Sequence, residues 1–402
     1  MQSSGTLHLG DFTDKDKVTG GDGTDRLDVT LNANLATKNQ ISGIETISAS
    51  ANGAAFTFNL SGNTDIKTFI VREDGGANTI TLTNAEQVLQ TVGYQGNETN
   101  GNQTFDNLTV NLAPGKGTGS SDATTVVVNN KDASGAEVAL ATGNAFNLGT
   151  LTLPNVENVT IDVQANGNAN LTLSDTALTS LTLKATKDLT FNAALNSTKL
   201  TTVDATGVNG KLTIDTSFSN ESVTISLGNG NNVVTVGGGN GTDDITLVQL
   251  GTGANTIALD PTTVGPNGFF IATGFNAGVG GDLIDFTGLV NFESKALNAA
   301  ATGSAGVDVV AVTNANAMNV TGSDEATLIA NFLALTNPTA GNDNAFDNNL
   351  SVGDLVVVNG NDSNAYIFRV TAVNADVDIS GAQLVGVLTG VNAAQLVPGN
   401  FS

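Results

Sequence analysis

Two stretches of this chain carry one spacing of glycines, acidic residues and apolar residues: Gly20, Gly21, Asp22, Gly23, Thr24, Asp25, Arg26, Leu27, Asp28, and Gly238, Gly239, Asn240, Gly241, Thr242, Asp243, Asp244, Ile245, Thr246. Both fit the nonapeptide GGxGxDxUx, whose chemistry is cation binding. Glycine turns expose backbone carbonyls, the carboxylate at the sixth position adds charge, and the apolar residue two places on anchors a short strand. Such a turn suits calcium, which accepts about six to eight oxygens at roughly 2.3–2.6 Å in flexible geometry. Magnesium demands a rigid octahedron and is disfavoured.

Degenerate copies flank the second stretch, Gly228 to Val234 and Gly251 to Ile257, with Asn232 and Asn255 where the carboxylate would stand. An amide oxygen ligates calcium but brings no charge, so these turns bind weakly or stack as neutral rungs. Asp11, Asp14 and Asp16 add acidity near the first motif, and Asp282 with Asp285 closes the repeat region. Clustered carboxylates repel unless a cation lies between them. The candidate calcium ligands are therefore Gly21, Asp22, Gly23, Asp25, Asp28, Gly239, Asn240, Gly241, Asp243, Asp244, Asn232, Asn255, Asp282 and Asp285.

Other chemistries are poorly supplied. The chain has no cysteine and a single histidine, His8, which rules out thiolate metal sites and builds neither a zinc site nor a catalytic triad by itself. No nucleophile or oxyanion element accompanies the paired aspartates, so no enzyme activity is expected. A net charge of −24 repels nucleic acid and anionic membranes and attracts divalent cations. No run approaches the roughly 18 apolar residues of a membrane helix, and no phosphate-binding loop follows the glycine turns.

The elements that must position these turns are strands. Charged residues are only 13% of the chain, about half the usual share, and Thr, Asn, Gly and Ala fill the surface, a composition that disfavours helix. Short alternating segments recur from about residue 18 to 290, and Val159, Leu181, Val203 and Val223 follow one another at about 20 to 22 residues. Leu171, Leu189, Leu212 and Val234 form a second series, so each repeat supplies two strands. A rung of that length cannot bury its own apolar face. The expectation is an all-β protein, a β-solenoid or elongated β-sandwich with Gly/Asp-rich calcium turns. The modules expected are 1–145 with one calcium turn, 146–290 ending in calcium turns, and a C-terminal β-rich region, 291–402, with one short helix at 323–336. An apolar residue followed by Glu opens several strands, at Ile44–Glu45, Val156–Glu157 and Ala85–Glu86, and these carboxylates read as solvated or turn-satisfying. Thr91 to Ser121, rich in Asn and Gly, reads as a long loop.

The nonapeptides, the segment Phe269 to Phe286 and the tail Leu384 to Phe401 together resemble the repeats-in-toxin (RTX) proteins that bacteria export by type I secretion, the S-layer and biofilm-surface proteins most of all. The resemblance implies export directed by the last hundred or so residues, and repeats that fold on meeting extracellular calcium. Contiguous nonapeptide arrays are absent here, so fewer ions are expected than in a regular β-roll.

The functional expectation is a calcium-dependent extracellular structural protein that self-assembles into a bacterial surface layer or matrix fibre. Its partners would be copies of itself and cell-surface polysaccharide, with no nucleic acid and no membrane insertion. The rival is a calcium-stabilised adhesin or glycan-binding module.

Overall fold

The structure, a computed structural model, describes residues 5–9, 12, 15–35, 40–97, 101–131, 136–237, 244–259, 268–286, 292–295, 309–312, 318–320, 324–336, 350–374 and 379–402. The chain is nearly all β and winds as a β-solenoid of about 11 turns, with one short helix in the C-terminal region. Its contacts divide it into two units, Met1–Ile214 and Asp215–Ser402.

In the first unit one face is a parallel stack of Arg26–Leu31, Thr46–Ala51, Thr68–Arg72, Thr91–Gly96, Ala123–Asn130, Asn158–Val163, Ser180–Ala185 and Thr202–Val208. The other face stacks Phe56–Asn59, Thr79–Ala85, Asn107–Leu112, Ala145–Thr152, Asn168–Ser174 and Leu189–Phe191, also in parallel. The strand Thr6–Leu9 pairs with Arg26–Leu31 at the start of the first face.

Register follows from the two-residue alternation. Val159, Leu181 and Val203 sit opposite one another as their spacing predicts, all buried. In the second series Leu189 is opposite Leu212 but also opposite Ala169 instead of Leu171, a shift of two that keeps every side chain on its proper face. Thr46, Thr68, Thr91, Thr125, Thr160 and Thr182 form one outward column, half-buried throughout. β-branched residues suit that pleated, half-covered position, which is why so polar a chain still builds strands.

The stretch Thr91 to Ser121 is not the long loop its composition suggests. It contains the strands Thr91–Gly96, Gln103–Thr104 and Asn107–Leu112, because Val92, Tyr94, Phe105, Leu108 and Val110 still alternate into the core. The Asn and Gly residues between them form the corners.

The second unit is wound in the same way, with Thr224–Leu227, Ile245–Gln249 and Phe269–Thr273 on one face and Val233–Val236, Thr256–Leu259 and Leu283–Asp285 on the other. Its last rung is closed by the tail. Ile379–Leu388 adds in parallel to Phe269–Thr273 and then turns the sheet antiparallel through Ala365–Val373 and Leu355–Asn359. Gly386 is needed at that junction, since a Cβ there would lie 2.3 Å from the Phe270 ring.

The helix spans Glu325–Thr336, within the expected 323–336; Ser323 lies outside the described residues. Asp324 starts it by accepting the Thr327 N–H at 2.8 Å, and the Thr327 hydroxyl first, with that N–H second, holds its carboxyl below the usual range. Leu328 and Phe332 turn inward, and the Phe332 ring stacks on Phe368 at 4.1 Å between centroids.

Burial in the stack sets the energetics. Leu181, fully buried between rungs, should lose about 2–5 kcal/mol on Leu181→Ala, whereas Thr182→Ala in the outward column should change stability by only about 0.5 kcal/mol. Urea unfolding followed by circular dichroism measures both.

Candidate functional site

Parallel strands stack at about 4.8 Å, so a polar side chain at one corner faces its counterpart on the next rung within hydrogen-bonding reach. The second unit builds a ladder on this principle from residues expected to ligate calcium. Asn232 is fully buried, and its Nδ2 donates to the carbonyls of Gly228 at 3.2 Å and Gly230 at 2.9 Å. It also donates to Asn255 Oδ1 at 2.9 Å, an oxygen that accepts the Asn232 backbone N–H as well, at 3.2 Å.

Asn255 repeats the arrangement one rung on. Its Nδ2 reaches the carbonyls of Gly251 at 3.3 Å and Gly253 at 3.4 Å, while Asp282 Oδ1 accepts its backbone N–H at 2.6 Å and its Nδ2 at 3.0 Å. The amide orientation is dictated by the carbonyls, which can only accept.

Asp282 ends the ladder, only 1% exposed, with Oδ2 taking the Asn276 N–H at 2.7 Å. Both of its oxygens are satisfied by N–H donors. Asn400, from the tail, then seals the last rung: its Nδ2 donates to the carbonyl of Asp282 at 2.7 Å and its Oδ1 accepts the Gly278 N–H at 2.9 Å. The ladder thus joins three of the expected ligands to a residue that motif reading passed over. Nothing in the sequence near Asn400 marks it as part of the ladder, because its partners there, Gly278 and Asp282, lie more than a hundred positions away.

The first nonapeptide is built differently. Gly21 and Gly23 adopt φ of 123° and 113°, values open to glycine, and Asp22 is exposed. Asp25 turns inward and is 7% exposed. Its Oδ1 accepts the Gly5 N–H at 2.9 Å, but its Oδ2 is buried with no hydrogen-bond partner. The next rung brings a second carboxylate to the backbone of this residue, because Glu45 Oε2 accepts the Asp25 N–H at 2.8 Å. Glu45 is the residue that ligand-picking from the motif missed. Its place in the recurring Ile44–Glu45–Thr46 pattern was visible, but its position beside Asp25 depends on register.

Asp28 does not join Asp25. It lies along the strand, between inward Leu27 and Val29, and its carboxylate meets Arg26 Nε at 2.6 Å, His8 Nδ1 at 3.1 Å and Arg72 Nη1 at 3.8 Å. Those groups occupy the oxygens a cation would need. Asp244 and Asp285 are half-buried, whereas Gly239, Asn240, Gly241 and Asp243, with Asp11 and Asp14, lie outside the described residues. Among the described residues no three carboxylate or imidazole groups converge as a ready cage. A cation at Asp25 would therefore draw on that carboxylate, Glu45 and turn carbonyls. An orphaned, buried carboxylate oxygen in a glycine turn fits a hard cation.

The Glu residues before strands satisfy corners, as expected: Glu157 Oε2 accepts the Asp122 N–H at 2.9 Å, and Glu86 Oε1 accepts the Gly62 N–H at 2.8 Å. Asp175, 3% exposed, is held by the Ala177 N–H at 2.9 Å through one oxygen only. Burial pushes its carboxyl up to about 7, with the charge of Glu157 adding to the rise and nearby N–H groups opposing it. The native state therefore binds a proton that the unfolded chain has released, so this corner loses stability as pH rises from about 4 through 7.

Two predictions follow from these corners. Asn255→Ala leaves the Gly251 and Gly253 carbonyls without the Nδ2 donor and the Asn232 amide without its acceptor, while Asp282 Oδ1 keeps the residue's backbone N–H, and should cost about 2–4 kcal/mol in urea unfolding. Asp175→Asn should flatten the fall in thermal midpoint between pH 4 and 8 that the unmodified chain shows; an unchanged slope would refute the assignment. No protein-family model, curated protein or solved structure matches this chain.

Proposed function

We propose that this chain is a calcium-dependent extracellular structural protein that self-assembles into a bacterial surface layer or matrix fibre. One observation carries the reading: the buried Asp25 Oδ2 lacks a partner, in a turn of the nonapeptide pattern with Glu45 beside it. Leaving such an oxygen bare costs about 1–3 kcal/mol or more, and a calcium ion between it and neighbouring carbonyls removes that cost. When bound, the ion supplies positive charge and oxygen coordination, not reaction chemistry. Asp25 and Glu45 would anchor it, Gly21 and Gly23 would turn the backbone toward it, and Gly5 fixes the carboxylate through Oδ1.

Charge supports self-assembly that depends on a divalent ion. Copies carrying −24 repel one another until cations bind or screen them. The outward threonine column offers a polar, uncharged face for packing once repulsion is removed. Among the described residues no helix is long and apolar enough to cross a membrane, in keeping with attachment at a surface by assembly.

Sedimentation and circular dichroism in excess chelator, then in millimolar calcium, with negative-stain microscopy of the calcium sample, test the proposal. Calcium is expected to increase β structure or its thermal midpoint and to produce large ordered particles. A chain equally folded and monomeric in both conditions would overturn it, and saturable binding of polysaccharide by that monomer would establish the adhesin instead.

A further inference from the structure

The Asp25 turn and the Asn255 turn are two versions of one corner. In each, a glycine two residues before the polar side chain has nearly the same backbone angle, φ 113° at Gly23 and 116° at Gly253. In each, Oδ1 accepts a backbone N–H from the preceding rung, from Gly5 at 2.9 Å and from Asn232 at 3.2 Å. In each, the residue's own N–H goes forward to a carboxylate, to Glu45 Oε2 at 2.8 Å and to Asp282 Oδ1 at 2.6 Å. Asn255 Oδ1 takes the Asn232 amide as well, and the second terminal atom is of the opposite kind. In Asn255 it is a nitrogen donating to the carbonyls of Gly251 and Gly253 and to Asp282. In Asp25 it is an oxygen with no partner.

We infer that the asparagine amide stands in for the ion: a corner with Asn in this position closes without metal, and the same corner with Asp closes only around a divalent cation. An NH2 group and a bound cation answer the same need, which is positive charge facing several oxygens at once. A carboxylate in that place without either sets one oxygen against others in a buried corner. Asp282 obeys the same rule from the other side. It needs no ion, because the Asn276 N–H supplies Oδ2 with the donor that Asp25 lacks. This inference rests on the calcium reading above and adds what sets the ion requirement of each turn.

The test compares the full chain with Asp25→Asn and Asp25→Ala, in chelator and in millimolar calcium, using hydrogen exchange of the Gly20–Thr24 amides and calcium stoichiometry by calorimetry. The unmodified turn should gain protection on calcium addition. Asp25→Asn should bind one ion fewer and show that protection already in chelator, with no further change on adding calcium. Asp25→Ala should also bind one ion fewer and remain unprotected in both. If Asp25→Asn exchanges as fast as Asp25→Ala in chelator while calcium still protects the unmodified turn, the amide does not replace the ion and the inference fails, although calcium binding stands. If calcium neither binds nor protects the unmodified turn, the calcium reading itself fails.

Discussion

The structure depends on the need to satisfy every corner. In a parallel, in-register stack each strand hands its N–H and C=O groups to the next rung, but the corners have no ladder to complete them, and their buried groups need partners from the chain itself. Every rung must therefore present something at its corner that matches the rung before. The solutions found here are few. A Glu carboxylate reaches back to an N–H at Glu45, Glu86 and Glu157. A hydroxyl does so at Thr179 and Thr201, each bonded to the carbonyl one rung earlier. A buried amide reaches forward instead at Asn232 and Asn255, donating to the polar side chain of the next rung.

The apolar columns and the corners contribute in different ways. Leu, Val, Ile and Phe side chains on the inward faces are worth about 1.5–3 kcal/mol each when fully buried, and they supply most of the driving force. They do not fix how far one rung is shifted against the next, since a slip of two residues keeps every side chain on its face, as Leu189 opposite Ala169 shows. The corners fix it. A displaced rung would strand the Asn255 amide and leave two glycine carbonyls bare, a loss comparable to burying one leucine less.

That division explains what could be read from the residues alone. Apolar alternation and the repeat of about 22 residues are local, so the all-β class, the two strands per repeat and the helix around Leu328 and Phe332 were legible. The strands inside Thr91 to Ser121 were obscured because polar corners outnumber apolar positions there, although Val92, Tyr94 and Phe105 kept the period. The candidate site was legible by residue type but not by role. Asp25, Asp28 and Asp282 are alike as sequence candidates, yet one keeps an orphaned oxygen, one faces Arg26 and His8, and one is closed by Asn276. Only register decides among them, and register is set by contacts between residues about 20 positions apart or, for Asn400, far more.

Stacked rungs interact mainly with their neighbours, so stability is a sum of rung terms and interface terms, and a weak corner weakens the interfaces on both its sides. Asp25 sits where this matters: Oδ1 holds Gly5 on one side, and the backbone N–H holds Glu45 on the other. On the proposed reading, an ion at Asp25 strengthens both interfaces at once and secures the rungs from Thr6–Leu9 to Thr46–Ala51. The Asn ladder does the same in the second unit, where the last oxygen and the last carbonyl meet Asn276 and Asn400 from within the chain. On the same reading an ion requirement marks a corner the chain does not complete by itself, and calcium dependence would belong to individual rungs, not to the β-solenoid as a whole.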